Sequence, residues 1–285
     1  MMIDNASLER HIGREEQSED SADSERLRRL SALLDRRWSP ADGMPPLGHF
    51  LLFQPDEIQS RIGADGHPLR DQNGMLPAIS LPRRMWAGSR IQFEGLVEPG
   101  ARLVRRSRLV SAVAKSGKSG HMVFCTIAHE IRATSGGPVL ISEQQDIVYR
   151  EAHQGPGLAP RPVMQPEFQA EHFSGRTVGP VELFRYGALT FNAHRIHYDR
   201  EYARDAEGYE GLVVQGPFLA TMLFDHLLQV AGGRRVLEFA FRAVSPSFDG
   251  EDLRFGATID GDKVRLFVTN PVGLAMTGQA RLAGS

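Results

Sequence analysis

Hydrophobic positions divide the chain into an amphipathic helix, a block of strands, and a second block of strands preceded by an apolar helix. In SERLRRLSALLDRRW, residues 24–38, leucines and a tryptophan recur every three or four positions. This spacing predicts one helix with its arginines on the opposite face. Ser24 is a candidate amino-terminal cap, and the Pro- and Gly-rich SPADGMPPLGHF ends the helix.

The first block of strands lies between residues 83 and 149. Four runs rich in β-branched and aromatic residues are predicted to be strands: SRIQFEGLV, ARLVRRSRLVSAV, HMVFCTIAHEI and VLISEQQDIVY. The turn sequences EPGA, KSGKSG and TSGGP connect them. Alternation of apolar and polar residues indicates an antiparallel sheet with one face in water.

The second half repeats this block after an apolar helix. GRTVGPVELFRYGALT, residues 175–190, is predicted to be extended, and GLVVQGPFLATMLFDHLLQVAGG, residues 211–233, to contain a helix that is apolar on nearly every face. Gly232 and Gly233 suit the left-handed residue after a helix. The following runs RVLEFAFRAV, DLRFGATID, KVRLFVTN and GLAMTGQARL are predicted strands that would wrap this helix.

A sheet curled round a central helix is the hot-dog arrangement. We therefore expect an α+β double hot-dog fold, in which two antiparallel sheets each wrap a central helix. The 285 residues suit two domains that each bury a core. We expect a flexible segment at 1–20, a first domain at 21–152, a Gly- and Pro-rich linker at 153–168 and a second domain at 169–285.

Composition and charge exclude several classes of protein. Hydrophobic residues make up 41% of the chain and charged residues 24%, which is typical of globular proteins. Basic and acidic residues number 33 and 35, so no net field favours nucleic acid or an anionic membrane. Because no long apolar run and no signal or transit sequence is evident, we expect a cytoplasmic protein without a membrane span.

The single cysteine, Cys125, lies in the apolar run MVFCTI. No intrachain disulfide can form, and we expect a small buried hydrophobic residue in a reducing compartment. The histidines outside the motif described next have neither cysteine partners nor the usual zinc-ligand spacing. We therefore expect no metal.

Two stretches, LTFNAHRIHYD (189–199) and GLVVQGPFLATML (211–223), resemble the MaoC-like hydratases and dehydratases. The family's core is an aspartate, a variable residue, an asparagine, a proline, an aliphatic residue and the catalytic histidine. These positions fall on Asn192, Ala193, His194, Arg195, Ile196 and His197. The aliphatic residue, the histidine and an acidic residue two places beyond it, Asp199, match the family, whereas the aspartate, asparagine and proline do not.

Within the family, FNAHRIHYD followed by EGLVVQGP is similar to one branch: the mesaconyl-CoA and itaconyl-CoA hydratases and the mitochondrial-type 3-hydroxyacyl-thioester dehydratases. PRRMWAGSRIQFEGLVEPGARLVRRSRL, residues 82–109, resembles the branch's additional amino-terminal half. The resemblance thus covers about residues 45–285. It implies a lyase acting on an acyl-CoA, with no cofactor besides the CoA of the substrate and with chains that pair into a homodimer.

Adding water to a double bond conjugated to a thioester needs a base, an acid and donors for the thioester oxygen. An imidazole with a pKa near neutrality can be both base and acid, and His197 is our candidate. The backbone N–H of Gly216 is the candidate oxyanion donor, because the first N–H groups of a helix have no internal partner. Pro217 suits the first helical turn.

Asn192 stands at the family's aspartate position, and an amide cannot take a proton from water. Either His197 is both base and acid while Asn192 orients the water or the thioester, or His194 shares the work; we favour the first. Asp199 is a further catalytic candidate, with capping or ion pairing as its alternative role.

The phosphates of CoA predict cationic side chains at the mouth of the site. The candidate substrate- and CoA-binding residues are Arg83, Arg84, Arg195, Gln215 and Trp86, the last by stacking on adenine. For the arginines the alternative is a solvated or salt-bridged role, and for the tryptophan a place in the core.

The resemblance implies hydration of a short branched dicarboxylic enoyl-CoA, namely itaconyl-CoA or the C-4 thioester of mesaconyl-CoA, to citramalyl-CoA. Arg195 or His194 is a candidate for the free substrate carboxylate. One alternative is a 3-hydroxyacyl-thioester dehydratase for straight-chain acyl-CoA or acyl carrier protein, which a long apolar tunnel without a buried arginine would favour. Another is a non-catalytic acyl-CoA-binding subunit, since fold alone does not confer chemistry.

Overall fold

The computed structural model describes residues 5–71, 73–117, 120–134, 136–152 and 158–284. The α-helices are α1 (Asn5–Glu9), α2 (Ser24–Leu33), α3 (Pro180–Leu189), α4 (Arg200–Asp205) and α5 (Gly216–Val230). The strands are β1 (Glu15–Ser21), β2 (Arg83–Phe93), β3 (Arg102–Gly117), β4 (Gly120–Arg132), β5 (Val139–Arg150), β6 (His172–Thr177), β7 (Val236–Ala243), β8 (Asp252–Asp260), β9 (Lys263–Asn270) and β10 (Gly273–Leu282). Short 3₁₀ turns lie at Pro40–Asp42, Gly48–Leu51, Gln59–Arg61 and Arg195–His197.

The described strands form one antiparallel sheet in the order β1-β3-β4-β5-β2-β7-β10-β9-β8-β6. The two halves have the same strand order, counted outward from the centre of the sheet. In the first half it is β2, β5, β4, β3 and β1, and in the second half it is β7, β10, β9, β8 and β6. β2 and β7 join the halves, with Gly88 opposite Arg242 and Gln92 opposite Glu238. The duplication is therefore present in the topology, although the sequence shows no simple repeat.

Helix α5 is the central helix predicted for the second half. It contacts β2 and all of β7 to β10, and its residues from Phe218 to Leu227 are buried. Gly232 and Gly233 follow it with φ of 62° and 80°, as the predicted left-handed residues. Strands against nearly every face of one apolar helix are the hot-dog arrangement.

The amino-terminal half differs from the expected pattern because its described residues contain no counterpart of α5. Amphipathic α2 buries Leu27, Leu30 and Leu33 in the core that also contains α5. The region 34–82, where a second central helix would lie, contains loops and 3₁₀ turns, since its repeated prolines remove N–H groups that a helix needs. In the described residues, one central helix thus packs against one continuous sheet.

The amino-terminal segment predicted to be flexible is in fact folded over residues 5–20. β1 pairs with β3 at the edge of the sheet, and Glu15 forms an ion pair with Arg106. Leu8 of α1 is buried in a small cluster with Cys125. The sequence concealed this strand because an edge strand beside an arginine-rich neighbour can be almost wholly polar.

Two local expectations are also corrected. Residues 175–190 are not extended throughout: β6 ends at Thr177, and α3 begins at Pro180 after Gly179, whose N–H is bound by the Glu182 carboxylate. The cap of α2 is Asp23, not Ser24, because the Asp23 carboxylate accepts the N–H of Arg26.

Of the predicted linker, residues 153–157 lie outside the described residues. Residues 158–168 lie against the second half, where Arg161 forms an ion pair with Glu251 and Met164 O accepts the N–H of Leu274. The boundaries at 21–152 and 169–285 stay predictions. In the described residues, no helix has both the length and the apolar character needed to cross a bilayer.

Cys125 is the small buried residue that the sequence predicted. Burial raises the pKa of its thiol to about 11, so the group is a protonated thiol at neutral pH.

Candidate active site

A cavity of about 1840 Å³ is lined by residues from both halves of the chain. The amino-terminal half contributes His49, His67, Arg83, Arg84, Trp86, His129, Glu143 and Arg150, and the carboxyl-terminal half Asn192 to Tyr198, Gln215 and Gly216. Every candidate site residue from the sequence except Asp199 lines this cavity.

His197 is the last residue of the 3₁₀ turn Arg195–His197 and is buried. Its Nδ1 lies 2.7 Å from the carbonyl oxygen of Val213. Because a carbonyl only accepts, this contact puts the proton on Nδ1 and leaves a lone pair on Nε2. Burial, with the nearby His194, lowers the pKa of His197 to about 3, so the ring is neutral at physiological pH.

Asn192 and His194 form the turn that leads into His197. Asn192 Oδ1 accepts the backbone N–H of His194 at 3.0 Å. The His194 ring packs edge-on to that of His197 with centroids 5.4 Å apart, and its Nε2 lies 3.5 Å from Oε1 of Glu207. The oxygen of Asn192 is therefore used in shaping the turn, and His194 is the nearer neighbour of the candidate catalytic ring.

Gly216 begins α5 as predicted, with Pro217 in the first turn. Its N–H has no hydrogen-bond partner among the described residues, and a Cβ here would lie 3.5 Å from the carbonyl oxygen of Trp86. Gln215 precedes the helix, but its side chain makes no capping hydrogen bond; its Nε2 instead donates to Leu183 O at 3.0 Å. The helix start thus offers an N–H to the cavity, whereas the Gln215 amide group fastens α5 to α3.

Asp199 and Arg195 are engaged with each other. Arg195 Nη2 lies 2.7 Å from Asp199 Oδ2, and the other Asp199 oxygen accepts the N–H of Tyr202 as the cap of α4. This backbone bond and the guanidinium lower the pKa of Asp199. The structure places Asp199 outside the cavity lining, in the capping and pairing role given as its alternative.

The three candidates on β2 differ in availability. Arg83 is buried and forms an ion pair with Glu207, whereas Arg84 is exposed and forms no ion pair among the described residues. Trp86 packs against Phe50 with ring centroids 4.7 Å apart. Its indole N–H donates to Ser89 Oγ at 3.0 Å, so its ring belongs to the wall of the cavity.

Sequence reasoning missed two features of the cavity. Arg150 lines it from β5, in register with Arg83 on β2, and has no ion-pair partner among the described residues. His67, which is bonded to Asp65, also lines the cavity from the amino-terminal half, and its ring lies 4.1 Å from that of His194. The sequence GADGHP, residues 63–68, could have indicated His67, because it is a turn that contains an aspartate and a histidine within a segment without periodicity.

Asp65, His67 and His194 are also a possible metal-ligand group, since one ligand atom of each lies within 4.8 Å of the others. Two histidines and a carboxylate are ligands that zinc and iron accept. The expectation that no metal is bound rested on spacing along the sequence, which cannot detect a group assembled from distant segments.

Comparisons with known proteins identify the family of the chain. The sequence profile of the family described as hydroxyacyl-thioester dehydratase type 2 matches residues 47–249. The mesaconyl-C(4)-CoA hydratase of Chloroflexus aurantiacus is 39% identical over 281 residues, which cover 96% of this chain and 97% of that protein.

More distant relatives share the fold. The mitochondrial hydroxyacyl-thioester dehydratase type 2 of Schizosaccharomyces pombe is 25% identical over 234 residues, covering 74% of this chain and 76% of the relative. A crystal structure of a MaoC-like dehydratase from Phytophthora capsici superposes with a TM-score of 0.72 at 14% identity, covering 99% of this chain and all of that one. The predicted α+β hot-dog class is thereby confirmed.

Proposed function

Because this chain belongs to the hydroxyacyl-thioester dehydratase type 2 family, we propose that it is a hydro-lyase that adds water to a short dicarboxylic enoyl-CoA. The proposed substrates are the C-4 thioester of mesaconyl-CoA and itaconyl-CoA, and the product is citramalyl-CoA. In itaconyl-CoA the double bond must first be moved into conjugation with the thioester by proton transfer. The observation that carries the proposal is a buried, neutral His197 in the same cavity as the free N–H of Gly216. The relative named mesaconyl-C(4)-CoA hydratase supports the choice of acyl group.

His197 supplies the proton chemistry. Its Nε2 takes a proton from water as the oxygen bonds to the β-carbon, and it returns that proton to the α-carbon. Between these steps the thioester oxygen carries negative charge, which the N–H of Gly216 and the amino-terminal end of α5 stabilise. The carbonyl of Val213 holds the ring in the required tautomer throughout.

Arg84 and Arg150 bind the phosphates of CoA. They lie on the adjacent strands β2 and β5, line the cavity, and have no ion-pair partner among the described residues. Arg83 and Arg195, the other arginines predicted for this role, are already paired with Glu207 and Asp199. An unpaired guanidinium loses no existing ion pair when it binds a phosphate, which favours Arg84 and Arg150.

The character of the cavity supports a dicarboxylic substrate. Its wall contains a buried arginine, Arg83, and several histidines, unlike the long apolar tunnel expected for straight acyl chains. Arg195 bonds to Asp199 through two nitrogens at 3.0 and 2.7 Å, whereas His194 has only a 3.5 Å contact with Glu207, so we assign the free substrate carboxylate to His194.

A straight-chain 3-hydroxyacyl-thioester dehydratase is the second candidate. The observation that favours it is the 25% identity to the dehydratase of Schizosaccharomyces pombe.

Incubation of the purified protein with the C-4 thioester of mesaconyl-CoA, itaconyl-CoA and crotonyl-CoA, each separately, tests the proposal by product mass. We expect gain of one water on the two dicarboxylic substrates and little on crotonyl-CoA. Gain on crotonyl-CoA alone would favour the straight-chain dehydratase. Retained binding without gain on any thioester would favour the non-catalytic binding subunit.

A further inference from the structure

The turn Gly63–Pro68 of the amino-terminal half is fixed onto the segment that carries His194 and His197. The backbone N–H of Arg195 donates to Asp65 O at 2.9 Å, and Arg195 Nη1 donates to Ala64 O at 3.1 Å. Gly66 has φ of 92°, and a Cβ there would lie 1.8 Å from Ala193 O. Only a glycine allows this approach, so the turn is built to sit against the candidate active site.

The side chains of this turn form an ordered carboxylate–imidazole pair. Asp65 Oδ2 lies 3.0 Å from His67 Nδ1, and Asp65 Oδ1 accepts the backbone N–H of His67 at 3.0 Å. Burial acts to raise the pKa of Asp65, but the bonds from His67 outweigh it and lower that pKa to about 2. An ionised carboxylate only accepts, so the proton of the His67 ring lies on Nδ1 and Nε2 keeps a lone pair.

The free nitrogen of His67 is placed to act on the contents of the cavity. His67 lines the cavity, and its Nε2 has no hydrogen-bond partner among the described residues. Its ring is tilted against that of His194 with centroids 4.1 Å apart, and His194 in turn contacts His197. Two imidazoles from opposite halves thus present lone pairs to one site.

A nucleophilic water needs two acceptors, because it must direct a lone pair at carbon while both of its protons are held. His197 is one acceptor in the proposed function. Asn192, predicted from sequence to orient the water, already uses its oxygen to accept the His194 N–H. Its amide nitrogen can only donate and therefore cannot hold the second proton of the water.

We propose that His67, held in one tautomer by Asp65, is the second acceptor and positions the attacking water. The inference rests on the proposed function. His197 takes one water proton as the C–O bond forms, and the double-bond electron pair moves onto the thioester as an enolate. The α-carbon then takes that proton back from His197 as the carbonyl re-forms. The proton held by His67 stays on oxygen and becomes that of the product hydroxyl.

A metal ion on Asp65, His67 and His194 is the competing use of these residues. It is disfavoured because both oxygens of Asp65 already accept from His67, so a bound metal ion would compete with these two bonds.

The test compares Asp65→Asn, His67→Leu and His67→Gln on any thioester that the wild-type protein hydrates. Asparagine keeps the volume and the backbone contacts of Asp65, but its amide donates to Nδ1 and moves the ring proton to Nε2. We expect kcat to fall about 100-fold in Asp65→Asn and His67→Leu, with KM changed less than about threefold. His67→Gln restores part of the rate, since its amide oxygen is an acceptor. Nitrogen-15 NMR reports the tautomer of His67.

The matched controls are Asp205→Asn and His121→Gln, both at exposed positions outside the cavity lining. Wild-type kcat in Asp65→Asn and His67→Leu would overturn the proposal while leaving the proposed function intact. Activity lost on dialysis against a chelator and restored by Zn²⁺ would also overturn it, in favour of a metal. A wild-type protein that hydrates none of the three thioesters would contradict both proposals.

Discussion

At the scale of single residues, the buried histidines determine how the protein responds to acid. Burial lowers the pKa of His129 to about 4 and that of His197 to about 3, from an ordinary value of 6.5. Among the described residues, neither ring has a carboxylate within ion-pairing distance; His129 bonds to Ser107 and His197 to a carbonyl. Both rings are therefore neutral at physiological pH. For His197 this leaves a lone pair on Nε2, but the low pKa makes the ring a weaker base than the near-neutral imidazole that the sequence predicted.

This predicts a loss of stability on acidification that begins near neutral pH. Below about pH 6.5 the unfolded chain binds protons at these histidines and the folded chain does not, so the free energy of unfolding falls as pH falls. Each group contributes about 1.4 kcal/mol per pH unit until its folded pKa is reached. Urea unfolding at several values between about pH 7 and about pH 5 measures this slope.

His129→Gln isolates the part of the slope due to one ring. In this variant the slope of the free energy of unfolding against pH should be smaller by about 1.4 kcal/mol per pH unit, and the part of the slope due to His197 should remain. A free energy of unfolding that stays constant across this range would show that the rings are protonated in the folded state.

At the scale of elements, a chain of buried polar side chains in the cavity wall connects β2, β5 and the turn Gly48–Leu51. Ser89 donates to Glu143 at 2.6 Å, and His49 Nε2 lies 3.5 Å from the same carboxylate. Burial acts to raise the pKa of Glu143, but His49, His129 and Ser89 together lower it. The carboxylate is thus ionised in the core and held by these partners.

Glu143→Gln should destabilise the fold, because the amide keeps the size of the side chain but loses the charge-assisted bonds. Hydrogen bonds to charged groups contribute about 1.5–3 kcal/mol, and we expect a loss in this range in urea unfolding. The exposed Glu98→Gln is the matched control, expected within about 0.5 kcal/mol of wild type. If Glu143→Gln unfolds at the same urea concentration as the wild-type protein, the buried charge contributes no net stability.

Elements with a periodic pattern could be predicted from sequence, and those without one could not. The eight strands of the two blocks and α5 follow from alternation and from an apolar run of helical length. β1 was missed because its partner's arginines, rather than a core, hold it in place. α3 was missed because the glycines before it favoured the prediction of an extended segment. Pro180 and Glu182 at its start are residues typical of the first turn of a helix.

At the scale of the whole molecule, the candidate site is assembled from both halves, and this limits what the sequence can predict. His197 and Gly216 were predicted because one short region contains both motifs. Asp65 and His67 were not, because a loop far away along the chain reaches the site through backbone contacts with Ala193 and Arg195. The sheet pairing of β2 with β7 brings these regions together, and no local pattern encodes it.

The central claim is that His197 performs the proton transfers of hydration, and His197→Ala tests it most directly. Kinetics on the C-4 thioester of mesaconyl-CoA should show kcat/KM at least about 100-fold below wild type, with thermal unfolding unchanged and with exposed His121→Ala fully active. Near-wild-type kcat/KM in a folded His197→Ala protein would contradict the account.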